Sequence, residues 1–344
     1  MQPKKTVIVV GAGASQEAGL PTSADLKTSI ARILDVRFQL IEQISGDRTI
    51  AASLGACFRD INPHLHACWK MRDALPQAMS IDNFIDSHRG NEKIEFCGKL
   101  AIVRSILDAE KKSLLFIDRN NSDNTLNFKS LEETWFNVFW QCISENCQAE
   151  GLKERLSAIT LIIFNYDRCI EHFLYHSIQN YYGLSADAAV SLVNEMDIFH
   201  PYGAVGSLPW TDGPAQMDFG AEPGAQDLVT LAQQIKTFTE GTDTEASDIV
   251  RIRKRVVTSD TLVFLGFAYH PQNIELLKSS SDEIKLLNKV CNFYGTAFGI
   301  SDEDLRVITP ELQELCGSPM YVNMDTNLTC RELFNKYRRT LSFH

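Results

Sequence analysis

Four short stretches of the chain combine residue types and spacings that suit chemistry. In the first, Gly11, Ala12, Gly13 and Ser15 follow five consecutive β-branched residues, Thr6–Val10. A buried parallel strand that turns at once into a helix through glycines lets backbone N–H groups approach a pyrophosphate, and Ser15 adds a hydroxyl there. In the second, Asn165 and Asp167 close the apolar run Ala158–Phe164. Two apart, they face one side of an extended segment, beyond a strand end where parallel sheets bind ligands; alternatively one of them caps the following helix. In the third, His200 and Tyr202 follow Asp197-Ile-Phe199. His200 can accept a proton near neutral pH, or be a buried structural histidine, whereas Tyr202 suits hydrogen bonding or ring packing. Pro201 favours extension at His200, so both side chains are expected on one face. In the fourth, Gly266 ends the run Thr261–Leu265, and His270 precedes Pro271, where it either caps a helix or touches a phosphate.

Placing all four groups at strand ends requires a parallel sheet. Further strands are expected within Lys289–Ser301 and Pro319–Asn323. Five or six strands alternating with helices make an α/β chain with a Rossmann-like doubly wound parallel sheet, a single domain over residues 1–344. Residues 23–158 read as a helical insertion that roofs the cofactor cleft. Leu26, Ile30, Ile33 and Leu34 recur at helical spacing, and Ser80 is a candidate N-cap for another helix. Helices are also expected over Lys99–Leu107 and Leu131–Trp140, with Trp135, Phe136, Phe139 and Trp140 as packing residues and Asp118–Asn124 as a polar loop. Residues 203–225, rich in glycine and proline, form a long irregular segment that reads as a functional lid or as poorly ordered.

The 344 residues are 44% hydrophobic and 22% charged, an ordinary globular profile, and the formal net charge of −11 argues against binding nucleic acid through its phosphates. Arg251-Ile-Arg-Lys-Arg255 is the dense basic exception, read as a solvated helix face or as a partner contact. No run approaches the roughly 20 apolar residues of a membrane span, and Met1–Lys5 leads straight into a strand, so a cytoplasmic protein without a membrane segment is expected. Nine scattered cysteines with no Cys-x-x-Cys fit reduced thiols, and neither they nor the eight histidines have metal-ligand spacing. His64 and His66 are expected in a loop near Pro63. No metal is expected.

Gly11-Ala-Gly-Ala-Ser15 is followed by Ala18-Gly-Leu-Pro21, whereas a dehydrogenase fingerprint would continue as a long helix with an acidic ribose ligand about 20 residues on, a place that Asp35 does not fill. This opening resembles that of the sirtuin superfamily, and Asn165-Tyr-Asp167 after a buried strand resembles its asparagine motif. With Gly266-Phe-Ala-Tyr-His-Pro-Gln-Asn273 and without a zinc module, the chain most resembles the bacterial sirtuin-like NAD+ hydrolases of antiphage defence. The resemblance implies that NAD+ is the substrate, cleaved to nicotinamide and ADP-ribose. It implies that Gly11, Ala12, Gly13, Ser15, Asp167, Tyr202, Gly266 and His270 contact the dinucleotide, and that Gly295-Thr296 forms a turn beside adenine. It assigns Asn165 a catalytic role; sirtuins place their catalytic histidine directly before a glycine, where this chain has Tyr202, and His200, two residues earlier, is expected as the base from its own chemistry. It also implies a homo-oligomer and a protein activator such as a partner ATPase or a phage component. Two other classes remain open: a noncatalytic NAD+ or ADP-ribose sensor, and a sirtuin-type deacylase or ADP-ribosyltransferase.

Overall fold

The β-branched run Thr6–Val10 forms strand β1, buried at every residue. The computed structural model describes residues 4–118, 124–237, 240, 247–279, 291–316 and 321–343. Two short strands, β2 (Arg37–Gln39) and β3 (Glu42–Ser45), pair only with each other. The remaining strands are β4 (Ile159–Ile163), β5 (Asp197–Phe199), β6 (Thr261–Leu265), β7 (Asn292–Thr296) and β8 (Tyr321–Asp325). With β1 they build one six-stranded, all-parallel sheet in the order β5-β4-β1-β6-β7-β8. Strand succession runs outward from β1 in one direction and then from β6 in the other. This is the doubly wound arrangement, with its topological switch point between β1 and β6.

Register decides which residues meet. Val10 lies level with Ile163 of β4 and with Leu265 of β6, and Ile162 lies level with Phe199 of β5. Gly11, Phe164, His200 and Gly266 therefore leave the sheet along one edge, the carboxyl edge. Alternate residues of β1 serve opposite faces, as the pleat requires. Val7 and Val9 join a core with the helices Ser23–Ile33, Glu92–Lys112 and Ser247–Thr258, whereas Ile8 and Val10 join one with Trp135–Ser144, Cys169–Tyr182 and Cys330–Lys336. The span 23–158 thus supplies helices to both faces of the sheet.

Within that span the hairpin β2–β3 replaces part of the expected helical pattern. Phe38, Leu40, Ile41 and Ile44 are exposed on it, so their apolar character, which resembles core periodicity, does not report burial. His64 and His66 lie in the helix Asn62–Ala74, not in a loop, because Pro63 occupies its first turn, where its missing N–H is harmless. Ser80 caps its helix as expected, accepting from Asn83 N at 3.0 Å. The expected Leu131–Trp140 helix begins only at Trp135, after a 3-10 turn, with Thr134 extended at its N-cap. Gly295 and Thr296 belong to β7 and form no turn; Lys289 and Val290, and likewise Pro319 and Met320 before β8, lie outside the described residues, as do residues 119–123 of the expected polar loop.

Gly11 and Gly13 are required by a neighbour. A Cβ on Gly11 would stand 2.5 Å from Gly266 O, and one on Gly13 would stand 2.9 Å from Gly266 Cα. Gly266 itself is left-handed (φ +54), and its added Cβ would lie 2.0 Å from Ala14 N. Gly299 is also left-handed (φ +77) but faces open space. Gly299→Ala is therefore expected to cost about 1 kcal/mol, the backbone penalty alone. Gly266→Ala, which adds a backbone collision, is expected to cost at least about 3 kcal/mol. Thermal or denaturant unfolding of the two variants side by side measures the difference.

Candidate functional site

The turn after β1 is a five-residue helix, Ala12–Gln16, ended by left-handed Gly19 (φ +92). Three of its N–H groups are already bonded: Gly11 N to Leu265 O, Gly13 N to Gly266 O at 3.0 Å, and Ala14 N to Gly11 O. The glycines therefore let two loops pack at the switch point. Gly266 is held in turn by Thr296, whose Oγ1 accepts from Gly266 N at 2.8 Å.

Beyond β4, Asn165 and Asp167 reach the same atom, as their spacing implies. Asn165 Nδ2 donates to Gly11 O and to Ser15 Oγ, both at 3.0 Å, and Ser15 Oγ donates to Asp167 Oδ2 at 2.8 Å. Both Asn165 amide hydrogens are thus used within the β1 turn, and no described residue donates to its Oδ1. Asp167 Oδ1 accepts from Cys169 N at 3.1 Å, so it also tethers the start of the helix Cys169–Tyr182. Burial pushes the Asp167 carboxyl upward, against the pull of these donors.

His200 and Tyr202 part company. Gly203 N donates to His200 O at 3.0 Å, which closes a turn over Pro201 and Tyr202 and removes the extension expected to align the two side chains. Tyr202 Oη donates to Asn273 Oδ1 at 2.6 Å, and its ring packs edge-on against Phe164. His200 goes the other way. Its Nε2 lies 2.6 Å from Glu171 Oε1, and its Nδ1 lies 3.3 Å from the backbone oxygen of Asn165. Burial alone would lower the His200 pKa, but the Glu171 carboxylate outweighs it and the net direction is upward. His270 stands at the N-cap of the helix Pro271–Leu277, yet its side chain caps nothing. It does lie within electrostatic reach of Asp82, to which Tyr166 Oη donates. Asp82, at the start of the helix Ile81–Ser87, is one link from the insertion to the end of β4.

Several residues here carry no signal in the sequence. Glu171 sits in the first turn of the helix Cys169–Tyr182, six residues beyond Asn165. Glu17 accepts from Trp135 N at 2.6 Å and from Arg331 N at 3.0 Å, binding two helix starts to the β1 turn, while Trp135 Nε1 donates to Ala14 O at 2.8 Å. Glu110, wholly buried, takes Arg168 Nη2 at 2.5 Å and Gly220 N at 2.9 Å, and Arg168 Nη1 reaches Met217 O at 2.6 Å. This ion pair fastens the irregular residues 203–224 to the Glu92–Lys112 helix. His172, stacked on Phe219 at 4.1 Å, has its pKa driven well down by burial and is a neutral packing residue.

Arg251 and Arg255 both pair with Asp197, and Arg253 Nε donates to Leu276 O, so the basic stretch is partly spent inside the fold. Asp35 is held by Arg37 and Arg72. Among the described residues, eight cysteines are free thiols, no three His, Cys, Asp or Glu side chains are grouped to hold a metal, and no helix is long and apolar enough to cross a membrane. Two cavities, about 320 and 310 Å³ in volume, are lined by residues such as Arg104 and Asp108, and Thr6 and Thr160, and by none of the candidate residues. No protein-family model and no curated protein matches the chain.

The raised pKa of His200 makes stability depend on pH. Below the unfolded value, about 6.5, folded and unfolded chains both carry the proton and the His200–Glu171 attraction contributes in full. Above it the folded chain still holds a proton that the unfolded chain has released, so this contribution falls as pH rises and is lost once the raised folded value is passed. Unfolding free energies of the wild type and His200→Asn, measured across that range, are expected to converge as pH increases.

Proposed function

We propose that the chain is an NAD+ glycohydrolase that cleaves the nicotinamide–ribose bond, with Asn165 and His200 as the residues nearest the chemistry. The observation that carries this reading is the convergence of Asn165, Asp167, Ser15 and His200 at the carboxyl edge of β1, β4 and β5, beside the switch point where doubly wound sheets take dinucleotides. The motif resemblance to sirtuin-like NAD+ hydrolases supplies the reaction. Nicotinamide leaves as a neutral base, so the protein must stabilise an oxocarbenium-like ribose and admit one water. The Asp167 charge and the free Oδ1 of Asn165 suit the first task; His200 suits removal of the water's proton. Gly11, Ala12, Gly13, Gly266, Tyr202 and His270 are the proposed dinucleotide contacts. On the same resemblance, the activity serves antiphage defence by depleting NAD+ in the cytoplasm, and it is controlled through homo-oligomerisation or a protein activator.

A second reading has a specific observation in its favour. Gly11, Gly13 and Ala14 already spend their N–H groups within the fold, which leaves fewer donors for a pyrophosphate and suits a noncatalytic NAD+ or ADP-ribose sensor. Incubating the purified protein with NAD+ and separating the products by chromatography decides between the two. The hydrolase reading expects free nicotinamide and ADP-ribose in equal amounts, with kcat falling by about 100-fold or more in Asn165→Ala. Tight NAD+ binding without turnover would mean either the sensor or a hydrolase still lacking its activator.

A further inference from the structure

Glu171 lies on the helix Cys169–Tyr182, packed under the end of β4, with its side chain only 11% exposed. One of its oxygens, Oε1, meets His200 Nε2 at 2.6 Å. The other, Oε2, is buried and takes no hydrogen bond among the described residues. A buried carboxylate with one oxygen unsatisfied is costly as a structural element, since burying a charge is tolerated only where it is paired and bonded. The histidine is the partner that offsets this cost. A carboxylate cannot donate, so the short contact requires a proton on Nε2. The opposite ring nitrogen, Nδ1, faces the Asn165 backbone oxygen at 3.3 Å, a long contact that a water or a hydroxyl can replace.

We propose that Glu171 is the positioning residue of the site: it fixes His200 in the Nε2–H form, so that Nδ1, the nitrogen beside Asn165, is the atom that receives the proton. The arrangement follows the logic by which a buried carboxylate orients a histidine base in hydrolytic triads. Its catalytic consequence rests on the proposed NAD+ hydrolysis. In that reaction the water oxygen bonds to C1′ of the ribose as the C1′–nitrogen bond breaks, with its electron pair leaving on neutral nicotinamide. The water proton passes to Nδ1. The resulting imidazolium then has an acceptor at each nitrogen, Glu171 Oε1 at one and Asn165 O at the other, and Asp167 adds a second negative charge within electrostatic reach. Proton release to solvent restores the neutral ring. Glu171 from the helix, with Asp167 and the Asn165 carbonyl from the β4 loop, are the groups that set the titration of His200.

The test combines a readout of the ring with a readout of turnover. Long-range 15N–1H correlation spectra of the histidine-labelled chain, with His200→Asn to identify the signal, report which nitrogen carries hydrogen. The wild type is expected to keep its imidazolium to a pH above the ordinary histidine range and to become Nε2–H on losing a proton. Glu171→Gln keeps the shape but offers an amide donor, so its His200 is expected to titrate at lower pH and to change tautomer. With NAD+ as substrate, the same variant is expected to lose about 10²–10⁴-fold in kcat with KM changed less than about threefold, and to show the acid limb of its pH profile at lower pH. Glu171→Asp, which keeps the charge, should retain the wild-type tautomer and recover part of the rate.

A wild-type ring protonated at Nδ1 alone, or a His200 titration unmoved in Glu171→Gln, would overturn the assignment. So would a kcat unchanged by that variant while the wild type turns over NAD+, a result that leaves the hydrolase reading intact. A wild type with the expected tautomer that neither binds nor turns over NAD+ would sink the hydrolase reading and support the pairing.

Discussion

The contact on which the rest depends is between two pieces of backbone. Gly13 and Gly266, at the ends of β1 and β6, lie so close that Gly13 N bonds Gly266 O and neither residue has room for a side chain. This happens at the switch point, where connections diverge to opposite faces and a crevice would otherwise open. Because the two strands end in register, the contact fixes the β1 turn to within a hydrogen bond. Everything that reads the turn inherits that placement. Asn165 bonds its carbonyl at Gly11, Asp167 bonds its hydroxyl at Ser15, and the Trp135 indole bonds its carbonyl at Ala14. A displacement of one loop would disturb two helix starts and the candidate site together.

Around this turn the fold buries several carboxylates and gives each a different kind of partner. Glu17 receives backbone N–H groups, Glu110 an arginine, Asp167 a serine and a helix N–H, and Glu171 a histidine. Arg168 neutralises Glu110 at contact, so that pair adds little field at a distance. Among the described residues, Asp167 and Glu171 have no arginine or lysine partner; a hydroxyl, a helix N–H and an imidazole meet them instead. The strand edge is consequently a place that favours positive charge on a protonated His200 and, in the proposed reaction, on the ribose. The same field disfavours an anionic pyrophosphate close by, which agrees with the few free N–H groups left in the β1 turn. A dinucleotide bound here would need its phosphates held farther along the crevice, toward β6.

The fold was legible because its strongest signals are local. Buried parallel strands read as near-continuous apolar runs, and β1, β4 and β6 are such runs, β1 β-branched throughout. The pairing of Asn165 with Asp167 was legible for the same reason, since a strand end keeps its period of two. The turn over Pro201 broke that rule for His200 and Tyr202: the residue before a proline is restricted, but the next two are free to turn. The hairpin β2–β3 was hidden because its exposed Phe38, Leu40, Ile41 and Ile44 imitate a buried pattern. Glu171, Glu17 and Glu110 were hidden for a deeper reason. A glutamate in a helix is the commonest solvent-facing residue, and only the tertiary partner, 29, 118 or 58 positions away in the bonds to His200, Trp135 and Arg168, makes it a site residue.

The same geometry accounts for the tyrosine that stands where a sirtuin histidine is expected. Gly203 is left-handed (φ +75), and an added Cβ would lie 1.9 Å from Gln234 O, so the chain presses against residues 234–236 at this point. Tyr202 O accepts from Lys236 N at 3.0 Å, and its ring and hydroxyl are committed to Phe164 and Asn273. The position before the glycine therefore carries a strut between the two halves of the sheet, from the end of β5 to the helix after β6. A histidine there would lose the reach to Asn273 and leave that strut unbonded. In the proposed reaction, proton chemistry falls to His200, which still lies at the strand edge and has Glu171 on one side and Asn165 on the other.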